Sequence, residues 1–184
     1  TSELFSISVF TTTTDSGDAF ILTGTAQPNK DLALSIKDPN DDIIRFDIIK
    51  IDETGAITYE FPRNESSTDG TYVLRATQDD VTQVSLFTLD TTTYDRVVVY
   101  LEKMNFKANS KAKINILGPP LTELTLNIFD HSDNRKFTES VKTNSIGTTI
   151  FTVDLAGYSS GVYKAVVSNP TYQDTAKFSV GLSS

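Results

Sequence analysis

The 184-residue chain has no cysteine and no tryptophan, and only one methionine and one histidine. Without cysteine there is no disulfide, no thiol nucleophile and no thiolate metal site. The single histidine, His131, has no second imidazole with which to share a zinc ion. No Gly-x-Ser-x-Gly elbow accompanies it, so a Ser-His-Asp arrangement has no nucleophile, and in its polar surroundings His131 reads as a surface residue. No apolar run approaches the ~20 residues of a membrane span, so no transmembrane segment is expected. The opening Thr1-Ser2-Glu3 lacks a basic stretch followed by an apolar one, so no signal peptide is read there. Basic residues are also scarce, 16 Lys and Arg against 24 Asp and Glu for a net charge of −8. That balance argues against nucleic acid as a partner, because phosphate neutralisation needs a basic face. An acidic surface favours solubility and attracts small cations.

What is present is alternation. Apolar residues recur with period two almost throughout, and no stretch has a convincing helical period. In the first half the rows are Phe5-Ile7-Val9, Phe20-Leu22, Leu32-Leu34-Ile36, Phe46-Ile48, Ile57-Tyr59-Phe61, Tyr72-Leu74-Ala76 and Val84 to Leu89. In the second half they are Val97-Val99-Leu101, Ala112-Ile114-Ile116, Leu124-Leu126-Ile128, Phe137 with Val141, Phe151-Val153-Leu155, Tyr163-Ala165-Val167 and Ala176-Phe178-Val180. Each row is expected to face a core. Turn-forming residues fall between them: Asp15-Ser16-Gly17-Asp18, Gln27-Pro28-Asn29-Lys30, Asp38-Pro39-Asn40-Asp41 and Gly118-Pro119-Pro120,. Glu53-Thr54-Gly55 is expected to close a hairpin.

The halves repeat each other. Leu34-Ser35-Ile36-Lys37-Asp38 matches Leu126-Asn127-Ile128-Phe129-Asp130, 92 residues on, and Gly55 matches Gly147 at the same spacing. Gly70-Thr71-Tyr72 matches Gly161-Val162-Tyr163, and Phe87-Thr88-Leu89 matches Phe178-Ser179-Val180, each 91 residues on. The repeat predicts two domains, residues 1–90 and 91–184, joined near Asp90 by the β-branched Thr91-Thr92-Thr93. Such a linker would be stiff. About seven short strands per half, with turns every 8–12 residues, predict an all-β fold of two tandem immunoglobulin-like Greek-key β-sandwiches. Tyr72 and Tyr163, each just before the penultimate strand, are expected to form tyrosine corners, hydroxyl turned to the backbone and ring in the core. The Cys-Trp-Cys core of antibody domains is excluded by composition.

Asp38-Pro39-Asn40-Asp41, the glycines at Gly55 and Gly147 and the closing Gly-x-Tyr resemble bacterial-type immunoglobulin repeats. With Tyr94-Asp95-Arg96-Val97-Val98-Val99 and Leu121 to Ile128, nearly the whole chain is similar to the tandem repeats of surface-layer proteins in ammonia-oxidising archaea. The resemblance implies a structural role at the extracellular cell surface, in a two-dimensional lattice. Its partners would be further copies or neighbouring immunoglobulin-like domains of the same protein. It carries no catalytic residues. His131 stands where the usual proline would be, which implies a looser turn.

Candidate sites are few. Asp38, Asn40, Asp41 and Asp42 cluster at one turn, and Asp15 and Asp18 at another. These are either solvated turns or a calcium site, since calcium takes six to eight oxygen ligands. No other cofactor is expected. Asn64-Glu65-Ser66 is the single N-glycosylation sequon. Ile43-Ile44 and Ile48-Ile49-Lys50-Ile51 are apolar on both faces, through either a bulge or an interface. Two function classes follow. One is a structural surface protein whose polyanionic lattice concentrates ammonium or other cations. The other is an adhesin or carbohydrate-binding module, for which Tyr94, Tyr100, Tyr158 and Tyr172 are the available stacking rings. An enzyme is not expected, because no nucleophile, metal triad or phosphate loop is present.

Overall fold

A period-two segment buries its apolar side chains only as a strand with one face against a core. The computed structural model describes residues 6–14, 17–62, 69–89 and 94–182. All its regular elements are strands. The chain divides into two compact units, Thr1–Thr92 and Thr93–Ser184. The expected junction at Asp90 to Thr93 lies outside the described residues.

The first unit contains β1 (Ser6–Thr14), β2 (Gly17–Thr25), β3 (Asp31–Lys37), β4 (Ile43–Lys50), β5 (Ala56–Pro62), β6 (Gly70–Gln78) and β7 (Val81–Leu89). They form two antiparallel sheets, β1-β2-β5 and β4-β3-β6-β7. One core is filled from both: Phe20, Leu22 and Ile57 from the first sheet, and Leu32, Leu34, Ile36, Tyr72, Leu74, Ala76 and Phe87 from the second.

The second unit contains β8 (Val98–Leu101), β9 (Asn105–Phe106), β10 (Lys111–Leu117), β11 (Glu123–Phe129), β12 (Arg135–Lys142), β13 (Thr148–Asp154), β14 (Gly161–Ser168) and β15 (Gln173–Val180). Its sheets are β8-β10-β13 and β12-β11-β14-β15-β9. The first strand of the pattern is split here. β8 pairs antiparallel with β10 in one sheet, while β9 crosses to the other and runs parallel to β15, Asn105 opposite Ser179 and Phe106 opposite Val180. Its core again draws on both sheets, with Ile114, Ile116 and Val153 facing Leu126, Ile128, Tyr163, Ala165 and Phe178. Two sheets closing on one core, with connections that cross between them, make each unit an immunoglobulin-like Greek-key sandwich. The chain is two of these in tandem.

The repetition extends to register. Leu32 opposes Ile49 as Leu124 opposes Val141, and Leu34 opposes Ala76 as Leu126 opposes Val167. A shift between Ile36 and Lys37 recurs between Ile128 and Phe129. The Glu53-Thr54-Gly55 turn is not a hairpin closure, because β4 pairs with β3 and β5 with β2, so the turn arches from one sheet to the other. Gly118-Pro119-Pro120 also passes between sheets, from β10 to β11. Phe46 and Ile48 do not face the core: they are 65% and 58% exposed.

One turn residue is conformationally misplaced. Asn29 and Leu121 occupy equivalent positions with φ of 62° and 55°. Asparagine tolerates this left-handed region, whereas for most other L-residues it costs about 1–2 kcal/mol. Leu121 is 62% exposed, so its side chain contributes little burial in return. Leu121→Asn is therefore expected to stabilise the second unit by about 0.5–1 kcal/mol, read as a rise in its urea midpoint.

Candidate functional site

The acidic turn after β3 is built around one carboxylate. Asp38 Oδ1 accepts the backbone amides of Asn40 and Asp42, at 2.9 and 3.0 Å. The Asp41 amide donates to the Asp38 carbonyl, and Asp41 takes φ of 71°. Such a side-chain-to-backbone turn is what an aspartate at this position forms. The turn after β11 repeats it: Asp130 Oδ1 accepts the amides of Ser132 and Asn134, both at 2.9 Å, and Asp133 has φ of 63°. His131 in place of proline leaves these bonds intact, so the turn is not loosened. Among the described residues no group of three or more histidine, aspartate or glutamate side chains gathers as a metal site. Asn64 and Asp15 lie outside the described residues, and so does the side chain of Asp18.

Asp130 is held below the ordinary carboxylate range, chiefly by the backbone amide of Asn134, with further help from the Asn134 side chain, the Ser132 amide and Lys136. A folded value below the unfolded one gives stability that is fully present above the unfolded value, near pH 4. That stability is lost as pH falls through the folded value. Asp130→Asn keeps an acceptor oxygen but does not titrate. Its urea midpoint is expected to fall less than that of the parent between about pH 4 and pH 2.

The tyrosines sit in the cores. Tyr163 donates its hydroxyl to the Ser159 carbonyl at 2.7 Å and stacks on Phe178, centroids 5.8 Å apart. Tyr72 is 1% exposed, stacks on Phe87 at 5.3 Å and also meets Phe20. Position 112, equivalent to Phe20, is alanine. In the second unit Tyr158 and Phe106 supply the flanking rings instead, against Tyr163 and Phe178. Tyr100 is buried, Tyr158 and Tyr172 pack on the core, and Tyr94 is half-buried, its ring near Gly147. These four do not form a row of exposed rings.

The most unusual surface lies on β4, the edge strand of its sheet among the described residues. Its alternation is inverted. Ile44, Phe46 and Ile48, 51%, 65% and 58% exposed, share the outward face, and Ile43 beside them is 62% exposed. Arg45 and Asp47 point the other way, to β5. There the Tyr59 hydroxyl accepts from Arg45 Nε at 2.9 Å and donates to Asp47 Oδ2 at 2.8 Å. Burial is the main reason the Tyr59 hydroxyl is pushed above its usual pKa. In β12 the same positions have the ordinary pattern. Phe137 faces inward onto Phe151, centroids 5.5 Å apart, where the first unit has Arg45 and Tyr59. Lys136, Thr138 and Ser140 stand outward where the first unit has Ile44, Phe46 and Ile48. A bulge is present, at the Ile36–Lys37 step, but β12 has the same bulge and keeps its outer row polar. The bulge therefore does not account for the apolar row.

No family model matches the chain, and no curated protein matches it either. Three solved structures illustrate what it is similar to. The tetra-tandem repeat in the extending region of a large adhesion protein covers 96% of this chain at 18% identity, with a TM-score of 0.39. The BSP domain of a biofilm-associated protein covers 87% at 14% identity and TM-score 0.35. Trypsin-activated alpha-2-macroglobulin from Escherichia coli covers 88% at 13% identity and TM-score 0.36. The chain spans 49%, 27% and 14% of those three chains. The assignment as a tandem immunoglobulin-like protein rests on its own strand order, register and paired cores.

Proposed function

We propose that the chain is a structural, non-catalytic repeat segment of a larger cell-surface protein, displayed outside the cell within an adhesive or lattice-forming assembly. The observation that supports this reading is the constancy of the scaffold set against the variation of one surface row. Register, bulge and turns recur 92 residues apart, while the outer row of the edge strand changes from Ile-Phe-Ile to Lys-Thr-Ser. A scaffold copied with that fidelity serves as a unit of construction, and its differing faces serve contact. The two units, meeting near residue 90, are proposed as the repeating domains. Partners on this reading are neighbouring domains of the same protein and further copies of it. The acidic surface would concentrate small cations around the assembly.

The adhesive form requires only linear repetition, and the surface-layer form implied by the sequence resemblance requires ordered arrays as well. Protease treatment of intact cells, followed by immunodetection of this segment, tests the shared part. Loss of the segment from unlysed cells is expected, and full protection until lysis would overturn the proposal. Electron microscopy of the purified full-length protein then separates the two forms, arrays marking the lattice and extended single molecules the adhesin.

A further inference from the structure

We propose that β4 of the first unit is a homotypic docking strand, pairing antiparallel with β4 of a second copy of this chain about a two-fold axis at Phe46. An edge strand presents backbone N–H and C=O groups on its free side, a ready template for another strand. Natural edges are blunted by prolines, bulges and charge. β4 has no proline, its outward row of Ile44, Phe46 and Ile48 carries no charge, its two inward charges, Arg45 and Asp47, are of opposite sign and bridged by Tyr59, and the bulge lies at one end, beside Ile43 and Ile44.

The choice of a second copy comes from the order of the side chains. In an antiparallel pair centred on Phe46, Arg45 of one copy lies opposite Asp47 of the other, Ile44 opposite Ile48, and Phe46 opposite itself. Both charged residues in the run Ile44 to Ile48 thus meet their opposites, and every apolar residue meets another. Opposite charges and apolar side chains are the favourable cross-strand neighbours, and like charges the unfavourable ones. The same construction on β12, centred on Thr138, sets Lys136 against Ser140, Phe137 against Glu139 and Arg135 against Val141. The self-complementarity belongs to β4 alone of the two equivalent strands.

The contact is small. The four exposed side chains offer on the order of 400 Å² of apolar surface per copy, taking about 150–250 Å² for a large side chain. Two copies together stay below the roughly 1,200–2,000 Å² of stable complexes. The pairing is therefore a weak one that becomes populated where copies are concentrated or tethered side by side. It deepens the building-block reading by naming one contact, and rests on that reading for the contact's purpose.

Sedimentation velocity on the 184-residue chain over a concentration series tests the pairing. The parent is expected to show reversible dimerisation. Asp47→Arg, which sets arginine against arginine twice, is expected to weaken it at least about tenfold, and so is Arg45→Asp, which sets aspartate against aspartate. An equimolar mixture of those two variants restores dimers, because each then meets its opposite. Phe46→Lys, at a 65% exposed position, is the second disruptive variant should either charge variant misfold by circular dichroism. Thr138→Lys in β12 is expected to leave dimerisation unchanged. A parent that stays monomeric up to about 1 mM, near the effective concentrations of tethered sites, would overturn the proposal. So would a mixture of the charge variants no more dimeric than each alone, which would mark association as unspecific apolar contact. The protease experiment on cells is separate: a monomeric parent on a protease-accessible surface defeats the strand pairing and leaves the building-block reading intact.

Discussion

Replacing Gly147 with alanine is expected to destabilise the second unit by about 3 kcal/mol, the sum of a left-handed backbone cost of about 1–2 kcal/mol and an overpacking cost of about 1–3 kcal/mol. Gly147 has φ of 87°, and a Cβ built there would lie 2.1 Å from the Gly118 carbonyl oxygen. That oxygen is backbone and cannot rotate away. The Gly118 amide is also tied to the Gly147 carbonyl at 2.8 Å, so neither segment can retreat without breaking the bond between the two sheet-crossing loops. The equivalent Gly55 is more forgiving. Its φ is 76° and its would-be Cβ lies 2.8 Å from the Ala26 oxygen, so Gly55→Ala is expected to cost about 2 kcal/mol,. Urea unfolding of the two variants checks both the sign and the order. Equal losses would mean that the closer approach at Gly147 is relieved by loop movement.

Leu126→Ala is expected to cost about 3 kcal/mol, within the range for buried leucines. Leu126 is 0% exposed at the centre of the second core. For a unit of this size the loss lowers the melting transition by roughly 15 °C. The two cores share no residue. The melting transition of the first unit should then stay within about 1 °C, as effects at independent sites do not propagate. Leu34→Ala, at the equivalent position, should reverse the pattern. Calorimetry that shows both halves shifting together would contradict the proposed division near residue 90.

Much of this architecture was legible in the residues. The alternation of Leu32, Leu34 and Ile36 and of Leu124, Leu126 and Ile128 specifies strands with one buried face, and those side chains are buried. The spacing between Asp38 and Asp130 carries the repeat because the same aspartate builds the same turn twice. What period two cannot specify is which of a strand's faces is inward. In β4 both faces hold apolar side chains, Ile44-Phe46-Ile48 on one and Ile49 on the other. The alternation of Phe46 and Ile48 marks a strand face but not that this face is turned outward. The inward residues, Arg45 and Asp47, are bridged by Tyr59 from a strand in the other sheet, a contact that no local pattern announces. The one trace in the sequence lies across the repeat, where Arg45 stands against Phe137 and Phe46 against Thr138. The split of the first strand was likewise illegible, since Val98–Leu101 and Asn105–Phe106 part company only because different sheets receive them.

That split has a mechanical consequence. In the second unit the first strand ends in β9, which lies parallel to β15, the last strand. Once β8 has parted from β10, tension drawn between the two ends of such a unit acts along that parallel pair and loads its hydrogen bonds, and those of Ser179 and Gly181 to the Met104 and Phe106 carbonyls, at the same moment. They must break together rather than one after another. A unit closed in this way resists extension through bonds that share the load, whatever side chains its surface carries.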